Sequence, residues 1–360
     1  MRPIKTTSIR SIKPTGRVVF HHTARRPLGL ILVFLTIFGS RSSAHARDDS
    51  ECLYDNIGLG YLTAPSLSPG HILRPSSLFV LPAGGPEGSR RIDFDVHWAN
   101  IWNYEPDEYL IDGEWVRSNI RFSYALKDSL SLGLAVPIIG RTGGFADPLI
   151  ENFHNTFHFG NASRDEFPQN RSLMSVHTNG GNHAIVEGDS WGIGDVSLFM
   201  VSRISEGNGI LPALLVQWQI SLPSGDEYEL RGLGAPSIAL SAVVSKRLGG
   251  SPFILFGGLG IQYCTADDIA GLELYNEEWA GLAGLEYQYT PALSLIAQYL
   301  GSSPVAKDYF AFSDPTHEVS VGFKWRITRY TTMEFAVVEN ILIFDNSADI
   351  GVHLCFGRDL

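Results

Sequence analysis

The chain has 360 residues, a formal net charge of −11, 37 glycines and a rich aromatic complement of 20 Phe, 13 Tyr and 7 Trp. That length holds one large β-domain or two ordinary ones. A mean hydropathy near zero excludes a helical membrane bundle, and an acidic chain without a basic stripe is a poor fit for nucleic acid.

Arg2, Lys5, Arg10, Lys13, Arg17, Arg25 and Arg26 precede the apolar run LGLILVFLTIFGS, and AHA follows at Ala44–Ala46. A basic region, a short apolar run and small residues before a cleavage point predict a signal peptide over residues 1–46. A retained N-terminal anchor is the alternative, and the long basic region allows a start codon further downstream. Cleavage after Ala46 removes only basic charge. Residues 47–89 read as an irregular Pro/Gly-rich lead-in, with TAPSLSPG and LPAGGPEG. It is either a periplasmic lead-in or a tether folded into a lumen. Cys52, Cys264 and Cys355 have no metal-binding spacing; Cys52 and Cys355 pair, or all three are thiols.

From Arg90 to the end a two-residue period recurs. RIDFDVHW sets Ile92, Phe94, Val96 and Trp98 against Arg91, Asp93, Asp95 and His97. VRSNIRFSYAL sets Val116, Ile120 and Phe122 against Arg117, Asn119 and Arg121. The same alternation runs through SLSLGLAVPI, GDVSLFMVSRI, LLVQWQISL, APSIALSAVVSKRL, PFILFGGLGIQY, EWAGLAGLEYQY, ALSLIAQYL, THEVSVGFKWRI, TTMEFAVVE and SADIGVHLCF. These are about twelve segments of the length a tilted strand needs to cross a bilayer.

The connections alternate in length. Short ones follow Lys127, Ser205, Leu248, Thr290 and Arg326; longer ones span Asn103–Glu114, Gly140–Ser190, Pro223–Gly232, Cys264–Asn276, Ser302–Pro315 and Asn340–Ser347. Tight turns at one end and large loops at the other are the asymmetry of an outer-membrane barrel. Few segments are available to cover the apolar side of such a sheet, so lipid is the simpler cover, and a sheet in hydrocarbon must close on itself. Trp98, Trp102, Trp115, Tyr124, Trp191, Tyr263, Trp279, Tyr287, Tyr289, Tyr299 and Trp325 fall near segment ends, as interfacial girdles do. The expected fold is all-β: an antiparallel transmembrane β-barrel of about twelve strands over residues 90–360. The last strand suits recognition by barrel-assembly machinery, although GRDL follows Phe356.

The long loop is the least generic region. Asp147 reads as an N-cap with Pro148 at the first helical position, Leu149, Ile150, Phe153 and Phe157 share a stripe, and Gly160 ends the helix. This predicts a short amphipathic helix that folds into the barrel mouth or lies on the membrane surface. Glu151 and His154 lie on the helix; Arg164, Asp165, Glu166 and Arg171 are placed to pair locally. The pattern GGF-x-D…IE-x-FH…RDEFP-x-NR over Gly143–Arg171, with HWAN at His97–Asn100, resembles a bacterial outer-membrane barrel family known only as a domain of unknown function. The resemblance covers most of the chain after residue 46. It implies a barrel in the outer membrane, and no substrate or catalytic residue.

HTNGG at His177–Gly181 shares part of a lipase-like pattern without its serine, and reads better as a solvated loop histidine. His154, His158, His177 and His183 are a conceivable metal set, with loop histidines on a polar surface the plainer alternative. No cofactor motif is present. The lumen-facing positions are Arg91, Asp93, Asp95, Arg117, Arg121, Asp195, Arg203, Glu286, Glu318, Lys324, Arg326 and Glu334. Twelve strands enclose more space than a barrel filled by its own side chains and less than a porin. These charges either line a path for a small solute or pair and plug the lumen. The leading expectation is a small-solute channel gated by the long loop, in contact with outer-membrane lipids. A non-conducting structural or receptor barrel is the alternative, and a lipid-modifying enzyme a third.

Overall fold

Alternating strands with one apolar face bury their backbone in a membrane only if the last strand pairs with the first. In this chain a closed ring forms. The computed structural model describes residues 56–73, 85–106, 108–158, 161–178, 181–269, 271–307, 313–341, 346 and 348–360. The expected signal peptide and Cys52 lie outside the described residues.

In chain order the elements are α1 (Pro69–Leu73), β1 (Arg90–Glu105), β2 (Tyr109–Lys127), β3 (Leu130–Thr142), α2 (Asp147–Phe157), β4 (Leu173–Thr178), β5 (Gly181–Glu187), β6 (Ser190–Ile193), β7 (Ser197–Ser205), β8 (Ala213–Ser221) and β9 (Ser237–Arg247). They continue with β10 (Phe253–Cys264), β11 (Asp268–Ile269), β12 (Leu272–Glu273), β13 (Glu277–Thr290), β14 (Leu293–Ser302), β15 (Thr316–Thr328), β16 (Thr331–Asn340) and β17 (Ile350–Asp359). The ring runs β2-β1-β17-β16-β15-β14-β13-β10-β9-β8-β7-β3 and returns to β2. It is a 12-stranded antiparallel barrel, and each of the twelve sequence segments supplies one strand. The seam is a full ladder, from Arg91 opposite Asp359 to Asn100 opposite Ile350.

The strand parity sorts side chains as alternation requires. Asp93, Asp95 and His97 are buried inside, while Phe122, Leu134, Leu198, Trp218, Ile238, Leu259, Trp279 and Val321 are exposed on the outer wall. A continuous apolar belt of this extent is a lipid-facing surface. The chain is a transmembrane barrel. Four of the short hairpins carry a register shift at the turn, at Ala125/Lys127, Arg203/Ser205, Gln288/Thr290 and Arg326/Thr328. Such bulges bend the rim and end the pairing.

Three expectations need correction. Asn103–Glu114 is not a loop: the β1–β2 ladder continues through Asn103 opposite Ile111 to Glu105 opposite Tyr109. Both faces of the hairpin are covered there, with Asn100 and Trp102 on one side and Ala99, Ile101 and Trp115 on the other all buried. Trp102 and Trp115 belong to no girdle; both are buried. Trp115 has the inward parity, and Trp102 points outward but is covered by the long loop. That loop also holds more regular structure than one helix. β4 and β5 form a hairpin that docks on the tip of β2, from Tyr109 opposite Val176 to Asp112 opposite Leu173.

Helix α2 has the expected span, with Pro148 in its first turn. Its N-cap is Ala146, without a side-chain bond, and it ends at His158 in the left-handed conformation (φ 61°). Asp147 is drawn away from the helix end and instead accepts from the Asn170 N–H at 2.7 Å. Gly160 lies outside the described residues.

Candidate functional site

A barrel lumen lined with charges is costly unless each charge finds a partner. Here many find one in the chain's own lead-in. Asn56 lies at the short-turn end, its amide oxygen accepting from the Arg247 N–H at 3.2 Å. At the long-loop end the Gly70 N–H donates to Asn346 Oδ1 at 3.2 Å. Residues 56–73 therefore form a strap that crosses the lumen from end to end.

Inside a lumen the strap has no neighbouring strand, so wall side chains must satisfy its backbone. Glu286 accepts the Leu59 N–H at 2.8 Å and the Gly60 N–H at 3.1 Å. Gln298 pairs with Leu62 in both directions, at 3.0 and 3.1 Å. Glu334 accepts the Thr63 N–H at 2.5 Å and its hydroxyl at 3.2 Å. Glu334 is held in turn by Lys324 at 3.0 Å and His353 at 3.2 Å. Further along, His71 meets Glu278 at 3.3 Å. Gly58 is at φ +62°, and a Cβ there would lie 2.4 Å from Ile254 Cδ1 and 2.5 Å from Glu286 Oε2. Only glycine admits this approach. Tyr61 and Leu62 pack with Val243, Phe256, Leu282, Ile296 and Ala336.

At the long-loop end the strap meets an apolar cap. Leu67 and Ile72 join Ile101, Tyr109, Ile111 and Trp115 of the extended hairpin, Met174 and Val176 of β4, Leu230, and Leu272 and Leu274 beside β12. Beside the strap a cavity of about 60 Å³ remains, lined by Arg117, Asn119, Arg121, Gln219 and Glu278 and also by Ala135, Pro137, Ala280 and Leu300. A space of this size admits a few waters. A second cavity of about 10 Å³ shares Arg117, Pro137, Ser197 and Gln219 with it. There the wall itself is irregular. β3 pairs with β7 up to Ala135 opposite Ser197 and with β6 from Ile138 opposite Ile193. Pro137 lacks an N–H. Ser224 fills the break, accepting from the Val196 N–H and donating to Gly194 O.

Of the twelve positions read as lumen-facing, Asp93, Asp95, Arg117, Arg121, Glu286, Glu318, Lys324 and Glu334 are buried. Asp95 pairs with Arg121 at 2.7 Å and accepts from Asn119 at 2.8 Å. Arg91 bridges Asp93 and Asp359 at 2.9 and 3.0 Å. Arg326 is half-buried at the end of β15. Arg203 meets Glu206 at 3.0 Å at the short-turn rim. Asp195 precedes β7 and clamps an outer loop, accepting from the Gly225 and Leu233 N–H groups at 2.9 and 2.8 Å. The thiol of Cys355 receives Arg121 Nη2 at 3.7 Å. Sequence reasoning missed His71, Glu278, Gln298 and His353 as strap contacts. The inward parity of the last three was readable; their lumenal partner was not.

A model of the family described as "Protein of unknown function (DUF3187)" matches residues 50–358. The chain belongs to the DUF3187 family. Among solved structures, the DUF3187 chain is similar to an outer membrane channel from Pseudomonas putida F1, at 14% identity and TM-score 0.56, covering 78% of this chain and 100% of that one. At that identity the likeness is one of fold. A NanC porin gives 8% identity and TM-score 0.43 over 75% of this chain and 100% of that one. The toluene transporter TodX of Pseudomonas putida gives 10% and 0.36 over 85% and 97%. No curated protein matches.

The motif residues of this DUF3187 chain build an outer-wall clasp rather than a plug in the mouth. Asn100 and Trp102 have the outward parity of Phe94, Val96 and Trp98, yet are only 1% and 7% exposed. The long loop covers them. Arg164 donates to Asn100 Oδ1 at 2.9 Å, pairs with Asp349 and lies 3.8 Å from Asp147. Its guanidinium sits over the Trp102 ring, whose N–H donates to Ala162 O. Phe167 packs against Trp102 and Tyr104. Arg164 thus pairs across elements, not with Asp165 or Glu166, which are exposed. Arg171 lies 3.8 Å from Glu187. Glu151 accepts from Gln169 at 2.7 Å, and His154 meets Asn161 at 3.2 Å. Gly144, at φ +72°, lets the Phe145 and Ala146 N–H groups reach Glu114. Among the described residues no three His, Cys, Asp or Glu side chains gather as a metal site; the side chains of His177 and His183 lie outside them.

Burial pushes the Asp349 carboxyl up to about 6, against the pull of Arg164 and His154. While Arg164 and His154 of the loop favour the ionised form, the folded chain as a whole therefore favours the protonated one. That contribution is complete below about pH 4, the unfolded value, and is lost as pH rises through the folded value. From this group alone, the denaturation midpoint of the detergent-solubilised barrel is expected to be higher at acid pH than at neutral pH. Asp349→Asn flattens the difference; an unchanged slope in that variant discards Asp349 as its source.

Proposed function

We propose that this barrel is an outer-membrane channel for small polar solutes, closed in the conformation described by its own lumenal strap. One observation carries the reading: the strap leaves unfilled a cavity of mixed polar and apolar lining, bordered by β2, β3, β7, β8, β13 and β14, and that cavity reaches the irregular wall at Pro137. Arg117 borders both parts. The strap is fastened mainly by backbone hydrogen bonds to Glu286, Gln298 and Glu334, contacts that can exchange with water one at a time. Likeness of fold to an outer membrane channel supports the reading.

The test is the conductance of the purified full chain in a planar bilayer. Intermittent openings are expected. Arg117→Glu reverses a fixed charge that borders both cavities, so the reversal potential in a KCl gradient shifts toward cation preference. A folded protein that stays silent at every voltage overturns the proposal. The apolar cap favours a second reading, a non-conducting barrel whose strap is a permanent core. In that case removing the strap lowers stability and leaves permeability at background.

A further inference from the structure

The long loop exposes a row of large apolar side chains that the lumenal reading does not use. Phe145 is 66% exposed, and Leu149, Phe153 and Phe157 of α2 are 62%, 53% and 59% exposed. They share one side of the helix; Phe153 and Phe157 rings lie 4.7 Å apart. The other side is polar and tied back to the loop, through Glu151 to Gln169 and through Asn161 to both His154 and Asn155. The helix is thereby held with its apolar side outward.

Where that side lies follows from β1. Ile92, Phe94, Val96 and Trp98 form the lipid-facing parity of this strand, and Trp98 is the last of them before the clasp covers Asn100. Phe145 stacks on Trp98, with ring centroids 6.0 Å apart and planes 19° apart. The apolar row therefore begins where the lipid belt ends and continues it.

We propose that Phe145 and α2 form an interfacial foot, immersed in the acyl chains of the outer leaflet beside β1. The chemistry fits hydrocarbon rather than charged headgroups. The helix carries Asp147 and Glu151 and no Lys or Arg, so it lacks the basic face by which interfacial helices seek anionic lipid. Arg164 fastens the same loop to the outer wall, which fixes the foot at the height of the belt.

The test uses the full chain in phosphatidylcholine vesicles, with Cys52→Ser and a nitroxide on either Phe153→Cys or Asn155→Cys. Molecular oxygen partitions into hydrocarbon and a neutral nickel chelate into water. Expected is oxygen access well above nickel access at position 153, and the reverse at position 155. Equal, high nickel access at both positions overturns the proposal. So does exclusion of both reagents at position 153, which means that protein, such as a second copy of this chain, covers the helix. Heat-modifiable migration of each variant confirms a folded barrel.

Discussion

Deleting residues 56–73 is expected to convert a nearly impermeable barrel into a leaky one. Four hydrogen bonds from the strap reach the carboxylates of Glu286 and Glu334. Each bond to a charged acceptor contributes about 1.5 kcal/mol or more. On the proposed reading they suffice together to hold the open population below about 1%, since a 99:1 bias needs only about 2.7 kcal/mol. Deletion also takes Leu67 and Ile72 out of the apolar cap, so both ends of the obstruction loosen. Liposomes carrying the deleted form should swell in arabinose about a hundredfold faster than those with the intact chain. Leu59→Pro with Leu62→Pro removes two of the strap's donors at constant length and gives a second comparison if the deletion assembles poorly. Equal swelling for the intact and deleted chains, both folded, removes the strap from any gating role.

Glu334→Ala should cost about 3–5 kcal/mol, because it leaves a buried Lys324 ammonium without its carboxylate. Glu334 and Lys324 are 4% and 9% exposed and 3.0 Å apart. The same change strips the acceptor from Thr63 and the partner from His353. The loss appears as a lower denaturation midpoint of the detergent-solubilised barrel. Adding Lys324→Met removes the orphaned charge and should restore much of the loss. A single variant as stable as the parent contradicts the assignment of Glu334 as the centre of the lumenal network.

The strands themselves were legible in the residues. Phe94, Val96 and Trp98 against Asp93, Asp95 and His97 already state which side is greasy, because side-chain direction in a strand depends only on parity. Helix α2 was legible too, from Pro148 and the Leu149, Ile150, Phe153, Phe157 stripe. What failed were inferences that needed a neighbour. Asp147 has the chemistry of a cap, but Asn170 captures its carboxylate. Trp102 has outward parity, yet Ala162, Arg164 and Phe167 cover it.

By itself the sequence determined the twelve strands, their two faces and the end at which the long loops gather, since these follow from local periodicity and spacing. Only the tertiary structure decided what fills the lumen. Leu59 and Glu286 are joined by a hydrogen bond across 227 positions of chain, and nothing local in the Pro/Gly-rich lead-in encodes that partner. A strap inside a barrel takes its register from the wall around it, so its place exists only once the wall has closed.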